Sequence, residues 1–191
     1  MKQKCIIVFA LLAYCFLGRL LAQEEKPLRL SIAYFGEMIT HPGFEFGVER
    51  GILQSKRFEL FWGGRLGMCT HRRNHTAVFL GVESGQRMLF PFGLFLDHKL
   101  GLAYLQSIPI GGPTYVVDAI GDVKEVRNLG RAHIMPSVTL GLGWDLEKHG
   151  LPPIRLFGRT QIFWQLPFNT TSLVHFGVLV GVSWRIKGGL N

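Results

Sequence analysis

After its first two dozen residues the chain has no apolar run near the roughly eighteen consecutive positions that a membrane-spanning helix needs, so any passage through a bilayer falls to strands. Charge is scarce as well. Only 18% of the 191 residues are Asp, Glu, Lys or Arg, against 48% hydrophobic, and that balance is too apolar for a disordered chain. Cysteine is nearly absent: of three in all, Cys5 and Cys15 fall within the first 22 residues, which leaves Cys69 alone. An exported form would therefore hold together by burial or by closing a sheet, without an internal disulfide. The net charge of +8 comes from scattered Lys and Arg with no basic stripe, which argues against a nucleic-acid partner. Heptads and amphipathic helical stretches are missing too.

What is present begins with an export signal. Lys2 and Lys4 form a positive start, Ile6 to Leu17 an apolar core and Leu20-Leu21-Ala22 a cleavage end, so residues 1–22 read as a secretory signal peptide. Cys15 follows the bulky Tyr14 instead of a small residue, which argues against a lipid anchor. Residues 23–191 then form a single domain.

Within that domain the dominant pattern has period two, the signature of strands whose faces differ. From Val174 to Ile186 one face carries Val174, Phe176, Val178, Val180, Val182, Trp184 and Ile186, and the other His175, Gly177, Leu179, Gly181, Ser183 and Arg185. Ile154, Leu156, Ile162, Trp164 and Leu166 oppose Arg155, Arg159, Gln161 and Gln165, and the run from Ile134 to Leu146 alternates likewise. Five further segments, 44–49, 58–69, 77–83, 88–97 and 100–105, bring the expectation to eight strands. Turns are expected at 54–57, 71–74, 83–86, 97–99, 147–153 and 169–171. Residues 109–132, rich in Gly, Pro and charge, read as a long loop or as a loop carrying a short extra hairpin around Thr114–Ile120. Residues 28–40 alternate too; were they to span, parity would require ten strands, with Thr114–Ile120 as the tenth.

The face that is not greasy decides which way the sheet curls. It is poor in flexible surface charge and rich in Gly, Ala and Ser, which suits a narrow interior. It also holds Glu45, Glu49, Glu83, Arg65, Arg155 and Arg159 in mid-strand, where opposite charges can pair across a lumen. Trp62, Tyr104, Trp144, Trp164 and Trp184 lie on the apolar face, as rings at headgroup level would. Because an open sheet in hydrocarbon leaves edge amides unpaired, the sheet must close. The expectation is thus an all-β, closed antiparallel up-and-down transmembrane β-barrel, plugged by its own side chains at eight strands. On this reading Val178→Arg disrupts assembly far more than Gly181→Ser.

Chemistry is sparsely signalled. His71 and His75 flank Arg72-Arg73-Asn74, which reads as a basic hairpin tip more readily than as a metal site, since no Cys or carboxylate stands at ligand spacing. His41 is accounted for by the turn at Pro42-Gly43. Ser172 and His175 are the nearest approach to a nucleophile and base, but their spacing puts them on opposite faces and no acid is apparent. No catalytic, cofactor-binding or metal residue is expected, and no cofactor.

With its export signal, the phrase His41-Pro42-Gly43-Phe44-Glu45-Phe46-Gly47-Val48-Glu49, the turn His71-Arg72-Arg73-Asn74-His75-Thr76 and a glycine-punctuated last strand, the chain resembles the small outer-membrane β-barrel proteins of Gram-negative bacteria. The likeness is to the OmpA-like and OmpX-like barrel group, and to exported barrels of Bacteroidetes-type bacteria, and covers most of residues 28–186. It implies residence in the bacterial cell outer membrane, contact with outer-membrane lipids and lipopolysaccharide, delivery by the barrel-assembly machinery, and a structural, adhesive or surface-interaction role with an extracellular partner unknown. The alternatives are an enzyme that modifies acyl chains of lipid A or phospholipid, and a soluble exported ligand-binding barrel. One departure stands out: such barrels often end on an aromatic residue, whereas this chain continues past Trp184 and Ile186 to Asn191.

Overall fold

Alternating sequence becomes a closed cylinder in the computed structural model. The model describes residues 27–186 except 73, 112–113, 118–119, 127–128 and 169–170, so the proposed signal at 1–22 and the tail at 187–191 lie outside the described residues. Ten strands follow one another: β1 (Leu28–Glu37), β2 (His41–Gln54), β3 (Phe58–His71), β4 (His75–Leu89), β5 (Leu94–Pro109), β6 (Thr114–Val117), β7 (Val123–Val126), β8 (Arg131–Asp145), β9 (Ile154–Phe168) and β10 (Thr171–Ile186). Eight of them close a barrel in the order β1-β10-β9-β8-β5-β4-β3-β2, every neighbour antiparallel. The other two, β6 and β7, form a separate hairpin within the β5–β8 loop, where the sequence allows a short extra hairpin.

The count of eight holds, but two of its members differ. Residues 28–37 do span, as β1, pairing with β2 on one side and β10 on the other. The expected turns at 83–86 and 97–99 are strand interior: β4 and β5 each run through them, and the real turn lies at Phe90–Gly93. The cause is electrostatic. Glu83, Arg87, Asp97 and Lys99 read as turn polarity in the sequence, yet each is a buried lumen residue with a charged partner. The three expected strands 77–83, 88–97 and 100–105 thereby become two, with the turn inside 88–97, so a spanning β1 restores the count of eight without a tenth strand.

The greasy face points outward. Ile32, Phe46, Leu66, Leu80, Val82, Leu100, Leu102, Leu140, Leu142 and Val180 are all exposed on the wall, Leu80 to 61%. Such a continuous apolar surface far exceeds the few hundred Å² that a soluble monomer shows, and hydrocarbon is the medium that makes it favourable. The soluble ligand-binding barrel, which needs these residues inside, is set aside by this orientation. The aromatics separate toward two rims. Trp62, Trp144 and Trp184 lie toward the end that holds both chain termini, while Tyr34, Phe44 and Tyr104 lie toward the other. With the termini on the periplasmic side, the β5–β8 loop faces the exterior, where barrels of this type carry their long loops.

The interior is less uniformly small than the sequence implies. Phe35, Phe61, Phe79, Phe95, Phe157 and Phe163 all point inward and are at most 4% exposed. They fit because glycines on neighbouring strands make room: a Cβ at Gly85 would sit 2.6 Å from the Phe61 ring, and one at Gly177 2.9 Å from the Phe35 ring. Gly181 belongs to this class, since a Cβ there would lie 2.7 Å from that of Ala33. Gly181→Ser, expected from sequence to be far milder than Val178→Arg, is therefore a crowding substitution in its own right.

Candidate functional site

Only the lumen and the loops can carry chemistry on a barrel whose wall is hydrocarbon-facing, and the lumen divides into layers. Nearest the termini lies a charged layer. Arg29, Arg65, Arg87, Lys99, Arg155 and Arg159 share the layer with Glu45, Glu49, Glu59, Glu83, Asp97 and Asp145, six cations and six carboxylates, all buried. Arg87 is the hub, reaching Glu49 at 2.9 Å, Glu59 at 3.2 Å and Asp97 at 3.1 Å. Lys99 holds Glu49 at 2.7 Å and Glu83 at 2.5 Å, while Arg155 joins Glu59 at 2.8 Å to Asp145 at 2.7 Å. The guanidinium of Arg87 also lies 4.4 Å from the Phe61 ring centre and that of Arg159 3.8 Å from the Phe157 ring centre. Such stacking suits guanidinium, which is planar and weakly hydrated. The pairs link strands that are not neighbours, such as β3 with β9 through Glu59 and Arg155.

Above this layer the lumen turns apolar. Phe35 meets Phe79 edge-on at 5.4 Å and Phe163 at 6.2 Å, with Leu105, Met135 and Leu179 packed around them. A void there is about 10 Å³, room for one water-sized molecule. Charge pairs below and packed rings above fill the cylinder, as eight strands dictate.

A third layer closes the extracellular mouth. Glu37 accepts from or pairs with His175 through Oε1 at 2.5 Å, while its Oε2 accepts from Cys69 Sγ at 3.4 Å. The His175 ring lies flat on Phe163 at 4.8 Å. His41 and His71 have ring centres 4.0 Å apart, and His71 and His75 6.0 Å. His133 is hydrogen-bonded through Nδ1 to the Pro167 carbonyl at 2.7 Å. Five of the seven histidines thus point inward at one end.

Sequence reasoning separated these groups. The turn at Pro42-Gly43 does not account for His41, which belongs to the mouth, and the acid that seemed missing beside His175 is Glu37, at the far end of the chain. Ring closure brings them together, because β1 pairs with β10; the usable signal was the alternation of 28–40, which places Glu37 on the inward face. Ser172 is exposed and separate from His175, as its odd spacing predicts. At Nε2 of His175, where a nucleophile would stand, the neighbour is Gln165 Oε1 at 3.2 Å. Among the described residues no group of three His, Cys, Asp or Glu is already set to hold a metal ion.

This geometry has solved counterparts. The chain is similar in structure to Neisserial surface protein A (TM-score 0.52, 12% identity, covering 85% of this chain and 97% of that one). It is similarly close to Ail, the attachment invasion locus protein of Yersinia pestis (TM-score 0.50, 10% identity, 86% and 100% covered). It is an eight-stranded barrel of the outer-membrane type. The outer-membrane enzyme PagL is a comparable neighbour (TM-score 0.51, 8% identity, 83% and 99% covered), so this fold accommodates enzymes and non-enzymes alike. No family model matches the sequence, and no curated protein does.

Proposed function

We propose that this barrel is a non-enzymatic resident of the bacterial outer membrane, with a lumen that is a structural plug and an extracellular loop that makes surface contacts of a structural or adhesive kind. The observation that carries the reading is the filled lumen: six cations and six carboxylates below packed phenylalanines, with a void of about 10 Å³. Among the described residues, buried charge pairs and packed rings occupy the lumen, which disfavours passage of a solute. The β5–β8 loop, by contrast, presents Tyr115, Val117, Ile120, Val123 and Leu129, each more than half exposed, well beyond the lipid-facing wall. Apolar side chains displayed outside a membrane favour a protein partner. Contact with outer-membrane lipid and lipopolysaccharide, and insertion by the barrel-assembly machinery, belong to the same reading; nucleic acid does not.

The second reading, an enzyme acting on lipid acyl chains, rests on the Glu37–His175 pair, whose Nδ1-to-carboxylate orientation is that of a catalytic base and its orienting acid. It is disfavoured because Gln165 occupies the nucleophile's place and the pair faces the lumen, away from acyl chains. Two measurements test the proposal. The purified barrel in a planar bilayer should give no stepwise conductance, and cells expressing His175→Ala should show the same lipid A and phospholipid masses as wild type. Stable conductance steps would contradict the plug, and a changed lipid mass would favour the enzyme. Replacing 112–128 by a short turn should leave the barrel folded while removing attachment of the expressing cells to host or abiotic surfaces.

A further inference from the structure

The histidines at the mouth are brought together by register, before any rotamer is considered. Glu37 pairs with His41 across β1 and β2, and His71 with His75 across β3 and β4. The β2–β3 register that sets Gly43 opposite Cys69 continues to place His41 beside His71. All four side chains lie on the inward face. One carboxylate and three imidazoles therefore form an unbroken row over four neighbouring strands, where opposed Cβ atoms stand about 4.5–5.5 Å apart.

Their side chains touch and leave donors unused. Nδ1 of His41 and Nδ1 of His71 are both sealed from solvent with no hydrogen-bond partner among the described residues, a state buried polar atoms rarely keep. Glu37 commits Oε1 to His175, and its Oε2, which accepts from Cys69 Sγ at 3.4 Å, stands 3.7 Å from Nδ1 of His41, too far for a hydrogen bond. That separation is near the roughly 3.4 Å between two donors on one tetrahedral ion with bonds of about 2.0–2.1 Å. As placed, no three donors converge on one point. Closure requires a ring turn at His71 or His75, each half-buried. The water-sized void just below, lined by Glu37 and His75, leaves space for that adjustment.

We propose that the extracellular mouth binds one divalent transition-metal ion of the zinc, nickel or copper class, with Oε2 of Glu37 and imidazole nitrogens of His41 and His71 as donors and His75 completing the set. Imidazole with one carboxylate suits these ions, whereas Mg²⁺ and Ca²⁺ take all-oxygen shells. The Glu37–His175 bond orients the carboxylate as an outer partner does at a metal centre. A bound ion would cross-link β1 to β4 at their extracellular ends. The inference does not depend on the proposed surface-contact role.

Calorimetric titration of Zn²⁺ into the full-length chain, isolated in detergent without a polyhistidine tag and in a non-coordinating buffer, tests it. One saturable site per barrel is expected, not displaced by excess Mg²⁺. His41→Asn and His71→Asn should each weaken it by at least about tenfold, while His98→Asn on the outer wall leaves it unchanged. Heat-modifiable gel migration of each variant separates loss of the site from loss of the barrel. If the histidine variants fail to fold, Co²⁺ added to wild type should give the intense absorption of a tetrahedral nitrogen–oxygen site, abolished by Zn²⁺. Absence of saturable Zn²⁺ binding, wild-type affinity in His41→Asn and His71→Asn, or a weak octahedral Co²⁺ spectrum would overturn the proposal.

Discussion

The two halves of the lumen fill the same cylinder by opposite means. Toward the termini, Arg87, Arg155, Arg159 and Lys99 are neutralised by carboxylates from other strands; toward the exterior, Phe35, Phe79 and Phe163 pack against one another. Both tie distant strands across the axis. They differ in how they fail. A packed ring can be trimmed and its neighbours relax partly into the space, whereas a charge network that loses its hub is left with an excess of buried negative charge. A lost charge in one half is therefore costlier than a trimmed ring in the other.

The sharpest break in that comparison is Arg87→Met, which takes one cation from each of Glu49, Glu59 and Asp97 and leaves them only Lys99, Arg155 and Arg159. It should lower stability by about 3–5 kcal/mol in denaturant unfolding from lipid vesicles; a loss below about 1 kcal/mol would mean that water screens the network. Next comes the wall itself. Val178→Arg should cost about 2–4 kcal/mol on the same measurement, as a cation near the bilayer midplane does, and a neutral result would contradict the outward direction of β10. Smallest is Phe79→Leu in the aromatic half, expected at about 1–2 kcal/mol, the range of a partly relaxed core truncation. Should Phe79→Leu exceed Arg87→Met, the two halves would have to exchange roles in this account.

The outward wall was legible in the sequence because period-two alternation survives any error in strand ends: Val174 to Ile186 and Ile154 to Leu166 lie on the faces their spacing assigns. Strand boundaries were legible only where polarity means solvent. At Glu83, Arg87, Asp97 and Lys99 polarity means a lumen partner, and no local pattern distinguishes the two; one partner of Lys99 is Glu49, fifty residues away. The mouth was hidden for a related reason. Glu37 and His175 are 138 residues apart and meet only because the first and last strands pair. Inward phenylalanines were underrated because the glycines that accommodate them sit on neighbouring strands, so the complementarity exists across the sheet and not along the chain.

The most direct test is a nitroxide scan of residues 174–186 in outer-membrane lipid, in a Cys69→Ala background, comparing collisions with oxygen and with a water-soluble nickel chelate. Labels at Val174, Phe176, Val178, Val180, Val182 and Trp184 should collide with oxygen and not with the chelate, and those at the intervening positions should be immobile and shielded from both. Chelate access at the even-numbered sites, or no alternation at all, would contradict a barrel that wears its apolar side chains on the outside.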